Sequence, residues 1–293
     1  MSDAIVLTGA TSGFGVVALK ELAERTDRDI IVGARSPERV QGEFGTRVQA
    51  VPLDLERLSS VRDFCAAIEG VSIGTLGMNA GITSRSVTTT VDGFERVFQV
   101  NYLSHVLMYR LLQAQLTSDA VVLSTGSGTH DPDEGAPPPA PRHARAEWLA
   151  FPSRDPERDR FRPRAAGRAY TASKLCCILM AMEIARREPK KRVASFDPGF
   201  LPETNLAREF PAALAGLVKR IIPLTMPRDR TGSVATTAPA YAGLVLGERL
   251  PEQNGGYIAM RGGEAVEVQP SELARQTGLS ASLWDESNAL LDI

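Results

Sequence analysis

Tyr170 and Lys174 bracket the segment Tyr170-Thr-Ala-Ser-Lys174, one helical turn apart on one face. A cation beside a phenol favours the phenolate, so Lys174 is expected to pull the pKa of Tyr170 down from about 10. A phenol tuned in this way can act as a general acid toward a carbonyl oxygen. The same spacing also suits a helix whose tyrosine is simply half buried. Three hydroxyls, Ser124, Thr125 and Ser127, follow the apolar run Val121-Val122-Leu123 and crowd the end of a strand expected over 120–127. Near the N-terminus, Thr8-Gly9-Ala-Thr-Ser-Gly13-Phe-Gly15 follows the buried-strand run Ile5-Val6-Leu7 and leads into apolar residues at helical spacing. A strand, a glycine turn and a helix present free N–H groups and a positive dipole end to a phosphate. Gly9, Gly13 and Gly15 suit a tight turn, close backbone approach to a pyrophosphate and close helix–strand packing. Glycine turns of this kind also open α/β domains that bind no nucleotide.

The elements that must position these residues alternate along the chain. Strands are expected over 4–7, 29–34, 48–53, 73–81, 120–127, 192–196 and, as the last, 256–260. Helices are expected over 13–25, 58–68, 169–187, 214–222, 231–246 and 281–291. The helix over 58–68 carries Leu58, Val61, Phe64, Cys65 and Ile68 on one face. A long helix is expected to open at Asp92-Gly93, hold Phe94, Val97, Phe98, Asn101 and Leu103, and extend toward Leu116. Such alternation implies an α/β fold: a doubly wound, Rossmann-like parallel sheet with helices on both faces, in a single domain over 1–293. Ligands bind beyond the carboxyl ends of the strands in such sheets. Arg35, at the end of the second strand, could accept the 2′-phosphate of NADP with a charge-assisted fork, or simply sit solvated.

Residues 130–168 break the alternation. They hold eight prolines, eight arginines and seven acidic residues, a density of proline that blocks regular ladders. An irregular insertion is expected there, with Trp148, Leu149, Phe151 and Phe161 as its apolar anchors.

The 293 residues carry a net charge of −2 and 43% hydrophobic residues. That is enough for a core, and it gives no electrostatic reason to expect nucleic acid as a partner. Cys65, Cys176 and Cys177 show no metal-ligand spacing, so no metal is expected, and they fit a reducing cytoplasm. No stretch reaches the ~18 apolar residues of a membrane span, and a first strand beginning by residue 4 leaves no room for a signal peptide. The expected location is cytoplasmic.

Six motifs in order make the chain similar to the short-chain dehydrogenase/reductase family from residue 4 to about 260. They are Thr8-Gly9-x-x-x-Gly13-x-Gly15, Asn79-Ala80-Gly81, Asn101, the hydroxyl-rich strand end, Tyr170-x-x-x-Lys174 and Pro198-Gly199. The resemblance implies that Tyr170 exchanges the proton while Lys174 holds the nicotinamide ribose and lowers the tyrosine pKa. Asn101 would support a water relay to Lys174. Gly9, Thr11, Ser12, Gly13, Phe14, Gly15, Arg35, Asn79, Ala80 and Gly81 would line an NADP(H) site. Asp54 and Leu55 would contact its adenine. Pro198 and Gly199 would lie against the nicotinamide, with Thr204 near its carboxamide. Matching Thr-Gly-Ser127-Gly-Thr favours Ser127 as the hydroxyl that orients the substrate, with Ser124 or Thr125 as alternatives. Where the family usually has two asparagines before Ala-Gly, the first is here Met78.

Three features resemble the branch containing carbonyl reductases, retinol dehydrogenases and light-dependent protochlorophyllide reductase: Asp92-Gly93-Phe94-Glu95, the insertion, and Pro198-Gly-Phe-Leu-Pro-Glu-Thr204-Asn-Leu206. The protochlorophyllide enzymes carry a functional cysteine directly after Pro-Gly, where this chain has Phe200. The expected activity is NADP-dependent hydride exchange with a small-molecule ketone, aldehyde or alcohol. Reduction of an activated C=C bond and a silent NADP-binding sensor or scaffold are the alternatives. Carbonyl reductases with a similar insertion are often monomeric, and a monomer is expected, with the insertion's aromatic residues packing over the apolar helix face from Leu175 to Met182; a homodimer whose partner subunit covers that face is the alternative.

Overall fold

The strand Ala4–Thr8 (β1) is buried along its whole length and occupies the middle of an eight-stranded sheet. The computed structural model describes residues 3–40, 44–201 and 228–293. Helix Gly13–Arg25 (α1) follows β1, then strands Ile30–Ala34 (β2) and Val48–Pro52 (β3), helix Leu58–Ala67 (α2) and strand Ile73–Met78 (β4). A composite helix over 96–112 (α3) leads to strand Leu116–Thr125 (β5). The short helix Ala146–Ala150 (α4) and the long helix Arg162–Arg187 (α5) precede strand Arg192–Asp197 (β6). Helix Val234–Val245 (α6), strands Gly256–Arg261 (β7) and Glu264–Val268 (β8), and helix Leu279–Leu291 (α7) complete the described chain. The expected helix over 214–222 lies outside the described residues.

The sheet order is β3-β2-β1-β4-β5-β6-β7-β8, parallel from β3 to β7. Chain direction across the sheet reverses between β1 and β4, the switch point where doubly wound sheets open a crevice for ligands. One apolar layer packs residues of α2, α3, α5 and α7 on one face, and a second packs α1 and α6 on the other. The doubly wound, Rossmann-like expectation therefore holds.

Four expectations need correction. The last strand is β8, antiparallel to β7, joined to it through Gly262 and Gly263 at φ +58° and +90°. A Gly-Gly pair between two strand runs is a hairpin signal that sequence reasoning passed over. The long helix starts at Arg96, because Gly93 turns the chain at φ +88° and the buried Glu95 caps it by accepting the Phe98 N–H at 2.7 Å. It is interrupted by a π turn, Gln99–Leu103, and Leu116 already belongs to β5. The insertion is irregular only in part, since it contains α4 and the first turns of α5, where Pro163 occupies a helix-opening position.

The insertion's anchors also fall differently. Phe161 is 68% exposed. Trp148 meets His143 edge-on and carries the Arg145 guanidinium at 4.4 Å. Phe151 packs against Phe94 at 5.5 Å. The outer side of α5 is covered chiefly by α7, whose Trp284 is buried against Tyr109 and under Arg187.

Candidate active site

The crevice is pinned by a polar knot at the ends of β1, β4 and β5. Thr8 Oγ1 accepts the N–H groups of Asn79 and Ala80, both at 3.0 Å. Asn79 donates from Nδ2 to the Gly9 carbonyl at 3.1 Å and accepts the Thr125 hydroxyl at 3.0 Å. Thr8 also meets His105 Nε2 at 3.0 Å, while His105 Nδ1 lies 3.0 Å from the Asn101 carbonyl. A carbonyl can only accept, so Nδ1 carries the ring proton and Thr8 donates to Nε2. Burial lowers the His105 pKa to about 4 and keeps the ring neutral. Sequence reasoning missed this histidine, which has no motif of its own.

The glycine loop is shaped by contact. A Cβ on Gly9 would come within 2.7 Å of the Ala80 backbone, and one on Gly15 would run into the Gly9 carbonyl oxygen. Ser12 precedes α1 without a side-chain cap, and the first turn carries no acidic residue. The helix N-terminus is thus left open to an anion, as a pyrophosphate cradle requires. Thr11 is half-buried beside Ser12, while Phe14 turns into the core against Tyr241 and Phe196. Arg35 is exposed directly after β2 and makes no hydrogen bond or ion pair among the described residues. At the next strand end, Asp54 accepts the Glu56 N–H and lies 3.7 Å from Arg57. Leu55 buries its side chain, and its carbonyl accepts from Gln99 and Ser104. Thr204 lies outside the described residues.

Tyr170 and Lys174 share one side of α5, as their spacing predicts. Lys174 is 5% exposed and its Nζ donates to the Thr125 carbonyl at 2.9 Å. A Cβ on Gly81 would stand 3.4 Å from that nitrogen and 3.3 Å from Asn101 Oδ1. Burial lowers the Lys174 pKa.

The tyrosine requires a correction. Burial pushes its phenol up to about 12, with a hydrogen bond to Ser127 pulling the other way. Lys174 Nζ lies 5.9 Å from the ring centroid and is bonded elsewhere, so burial outweighs the expected cationic effect.

The three candidate hydroxyls separate cleanly. Ser124 donates to the Cys177 carbonyl at 2.8 Å, and Thr125 is committed to Asn79. Ser127, two residues beyond β5, is the one that meets Tyr170. Its backbone is held by His130, whose Nδ1 donates to the Ser127 carbonyl at 2.7 Å and whose Nε2 accepts the Ser271 N–H.

Asn101 sits in the π turn. Its side chain bridges to Ile82 N–H, Ile82 carbonyl and Ser173 Oγ at 2.7, 3.0 and 2.9 Å. Its carbonyl accepts from both His105 and the Cys177 thiol, which fills both lone pairs. Pro198 and Gly199 follow β6, with Gly199 at φ +72° and its N–H bonded to Asp197 at 2.9 Å.

Comparison with known proteins agrees with this arrangement. Residues 3–131 match the short chain dehydrogenase family model. A Streptomyces sp. strain C5 protein named as a putative daunorubicin C-13 ketoreductase, DnrU, is 30% identical over 97% of this chain and 91% of its own. The chain belongs to the short-chain dehydrogenase family. Human retinol dehydrogenase 13 is 28% identical over 99% of this chain and 84% of its own. A crystal structure of an uncharacterized Mycobacterium paratuberculosis protein superposes with a TM-score of 0.72 at 28% identity, covering 99% of this chain and 94% of that one. This short-chain dehydrogenase is accordingly an oxidoreductase of the family that exchanges hydride with carbonyl and alcohol groups through a nicotinamide cofactor. No helix among its described residues is long and apolar enough to cross a membrane.

Proposed function

We propose that this protein is an NADP-dependent carbonyl reductase acting on a ketone or aldehyde of a small-molecule metabolite. The observation that carries the reading is the Ser127–Tyr170 hydroxyl pair beside the buried Lys174, at the carboxyl ends of β4, β5 and β6. The open N-terminus of α1 and the glycine loop fit a dinucleotide pyrophosphate. Arg35, exposed at the end of β2 and with no hydrogen bond among the described residues, would supply the cation that a 2′-phosphate needs. The nicotinamide would supply or take the hydride. Ser127 orients the substrate carbonyl, and Tyr170 gives its proton to the carbonyl oxygen. The Tyr170 phenol is protonated at neutral pH, the form a proton donor needs. Lys174, held on the Thr125 carbonyl beside Gly81 and Asn101, is the cation that would meet the ribose. Pro198, Gly199 and Thr204 complete the nicotinamide side of the reading. The likeness to proteins named as a ketoreductase and a retinol dehydrogenase supports carbonyl and alcohol chemistry. We further read the chain as a single domain, cytoplasmic, with no nucleic-acid partner and no resident metal.

The test is NADPH oxidation against a panel of ketones and aldehydes. Tyr170→Phe should bind NADPH as the wild type does and lose about a hundredfold or more in turnover, because only the proton donor is removed. A variant that keeps most of its rate on the best substrate would overturn the assignment.

A further inference from the structure

Behind the Ser127 turn runs a chain of alternating charges that the reading above does not use. Asp197, at the end of β6, is 3% exposed, and its Oδ1 accepts the Gly199 N–H. This closes an Asx-type turn that sets the Pro198–Gly199 backbone. Its Oδ2 lies 3.6 Å from Arg261 Nη1 at the end of β7. Arg261 Nη2 donates to Glu134 Oε1 at 2.8 Å, and Glu134 Oε2 lies 3.0 Å from Arg230 Nε. Arg230 Nη1 donates to the Glu134 carbonyl at 2.7 Å, and the Arg230 carbonyl accepts the Phe200 N–H at 3.1 Å.

The chain thus closes on itself. The turn over 198–200 is held on one side by Asp197 through Arg261 and on the other by the Arg230 backbone. Both arginines converge on Glu134, a residue of the insertion. A Cβ on Gly128 would stand 3.2 Å from both Asp197 Oδ2 and Glu134 Oε2, so the same carboxylates also back the residue after Ser127. These side chains are mostly withdrawn from water: Glu134 is 17% exposed, Arg261 17% and Arg230 23%. Removing the anion from such a chain leaves two guanidinium groups converging with only Asp197, 3.6 Å from Arg261, as a counter-charge, a cost that falls on the turns they hold.

The geometry points to Glu134 as a positioning residue: by binding Arg230 and Arg261 together, it holds the Pro198–Gly199 turn against the Ser127 turn and so shapes the nicotinamide end of the cofactor site. This rests on the cofactor reading proposed above. The insertion then has a task besides covering surface, since one of its carboxylates ties the ends of β5, β6 and β7 together.

The adenosine half of the cofactor would be held elsewhere, by the glycine loop and Arg35, and that separation supplies the test. Calorimetric titration compares NADPH with 2′-phospho-ADP-ribose, which lacks the nicotinamide, on the wild type, Glu134→Gln and Glu134→Asp. Glu134→Gln should bind NADPH about tenfold or more weakly and bind 2′-phospho-ADP-ribose unchanged, and Glu134→Asp should recover part of the loss. Equal losses for both ligands would mean general damage to the fold and would overturn the inference, as would no loss for either. If Glu134→Gln is recovered unfolded, Arg261→Lys carries the same test, with the same asymmetry expected. Wild-type protein that binds neither ligand would sink the cofactor reading, and this inference with it.

Discussion

The ammonium of Lys174 is held by the Thr125 carbonyl at 2.9 Å and not by the Tyr170 phenol one turn away. The four-residue interval puts Tyr170 and Lys174 on one helix face whatever surrounds them. Whether the lysine acts on the phenol depends on where its ammonium finds an acceptor, and that acceptor is a carbonyl 49 residues away, at Thr125. The same holds for the choice among Ser124, Thr125 and Ser127. Their order in sequence is silent about which of them faces inward to Cys177, to Asn79 or to Tyr170. His105, His130 and Glu134 escaped notice for a related reason: each works through a partner distant in sequence. Arg35 is different, because a strand end in a doubly wound sheet has a known outlook. Its guanidinium should favour NADPH over NADH, and its exposure places the effect at the lower end of a charge-assisted bond, about tenfold in Kd. Fluorescence titration of both cofactors on wild type and Arg35→Ala measures it; an unchanged NADPH-to-NADH ratio in the variant would remove Arg35 from the site.

Element existence followed from periodicity, whereas element ends were decided by single residues. Gly93 and Glu95 moved the start of α3 by four residues from its expected position at Asp92, and Gly262-Gly263 added a strand. The π turn around Asn101 leaves no trace in the hydrophobic pattern, since it inserts one residue into an otherwise regular apolar face. Glu95 has a measurable consequence. It is 1% exposed, and burial raises its pKa from 4.5 to about 7 despite the Phe98 N–H it accepts. The folded state therefore holds this proton more tightly than the unfolded chain does. Stability contributed by the neutral form is complete below about pH 4.5 and is lost as pH rises toward 7. Glu95→Gln keeps an oxygen for Phe98 and carries no charge. Its melting temperature should match the wild type near pH 5 and exceed it at pH 8. A difference that stays the same at both pH values would show that Glu95 does not titrate in this window.

Assembly is the question in which the insertion and the apolar helix meet. In α5, the residues Leu175, Cys176, Cys177, Ile178, Leu179, Met180 and Ala181 are each no more than 2% exposed within one chain. The sequence showed that this stretch had to be covered on every side but could not show by what, because the cover comes from both ends of the described fold. The sheet lies on one side and α7 on the other, with Trp284 buried and Glu183 gripping Arg186, Arg187 and Ser280 at the seam. The insertion contributes through α4, where the Ala146 N–H bonds to Glu286 of α7 at 2.7 Å. Its arginines then form an ion-paired outer layer, three of them on the single carboxylate of Asp159. A subunit interface is normally depleted of charge at its centre, and here the first turns of α5 carry ion-paired arginines while α7 covers its apolar stretch. A second subunit would have to desolvate those pairs without any bare apolar surface on α5 to repay it. We therefore propose a monomer at micromolar concentration, with a mass near 31.5 kDa by light scattering. A mass twice or four times that value would mean that another face of the molecule supplies the contact.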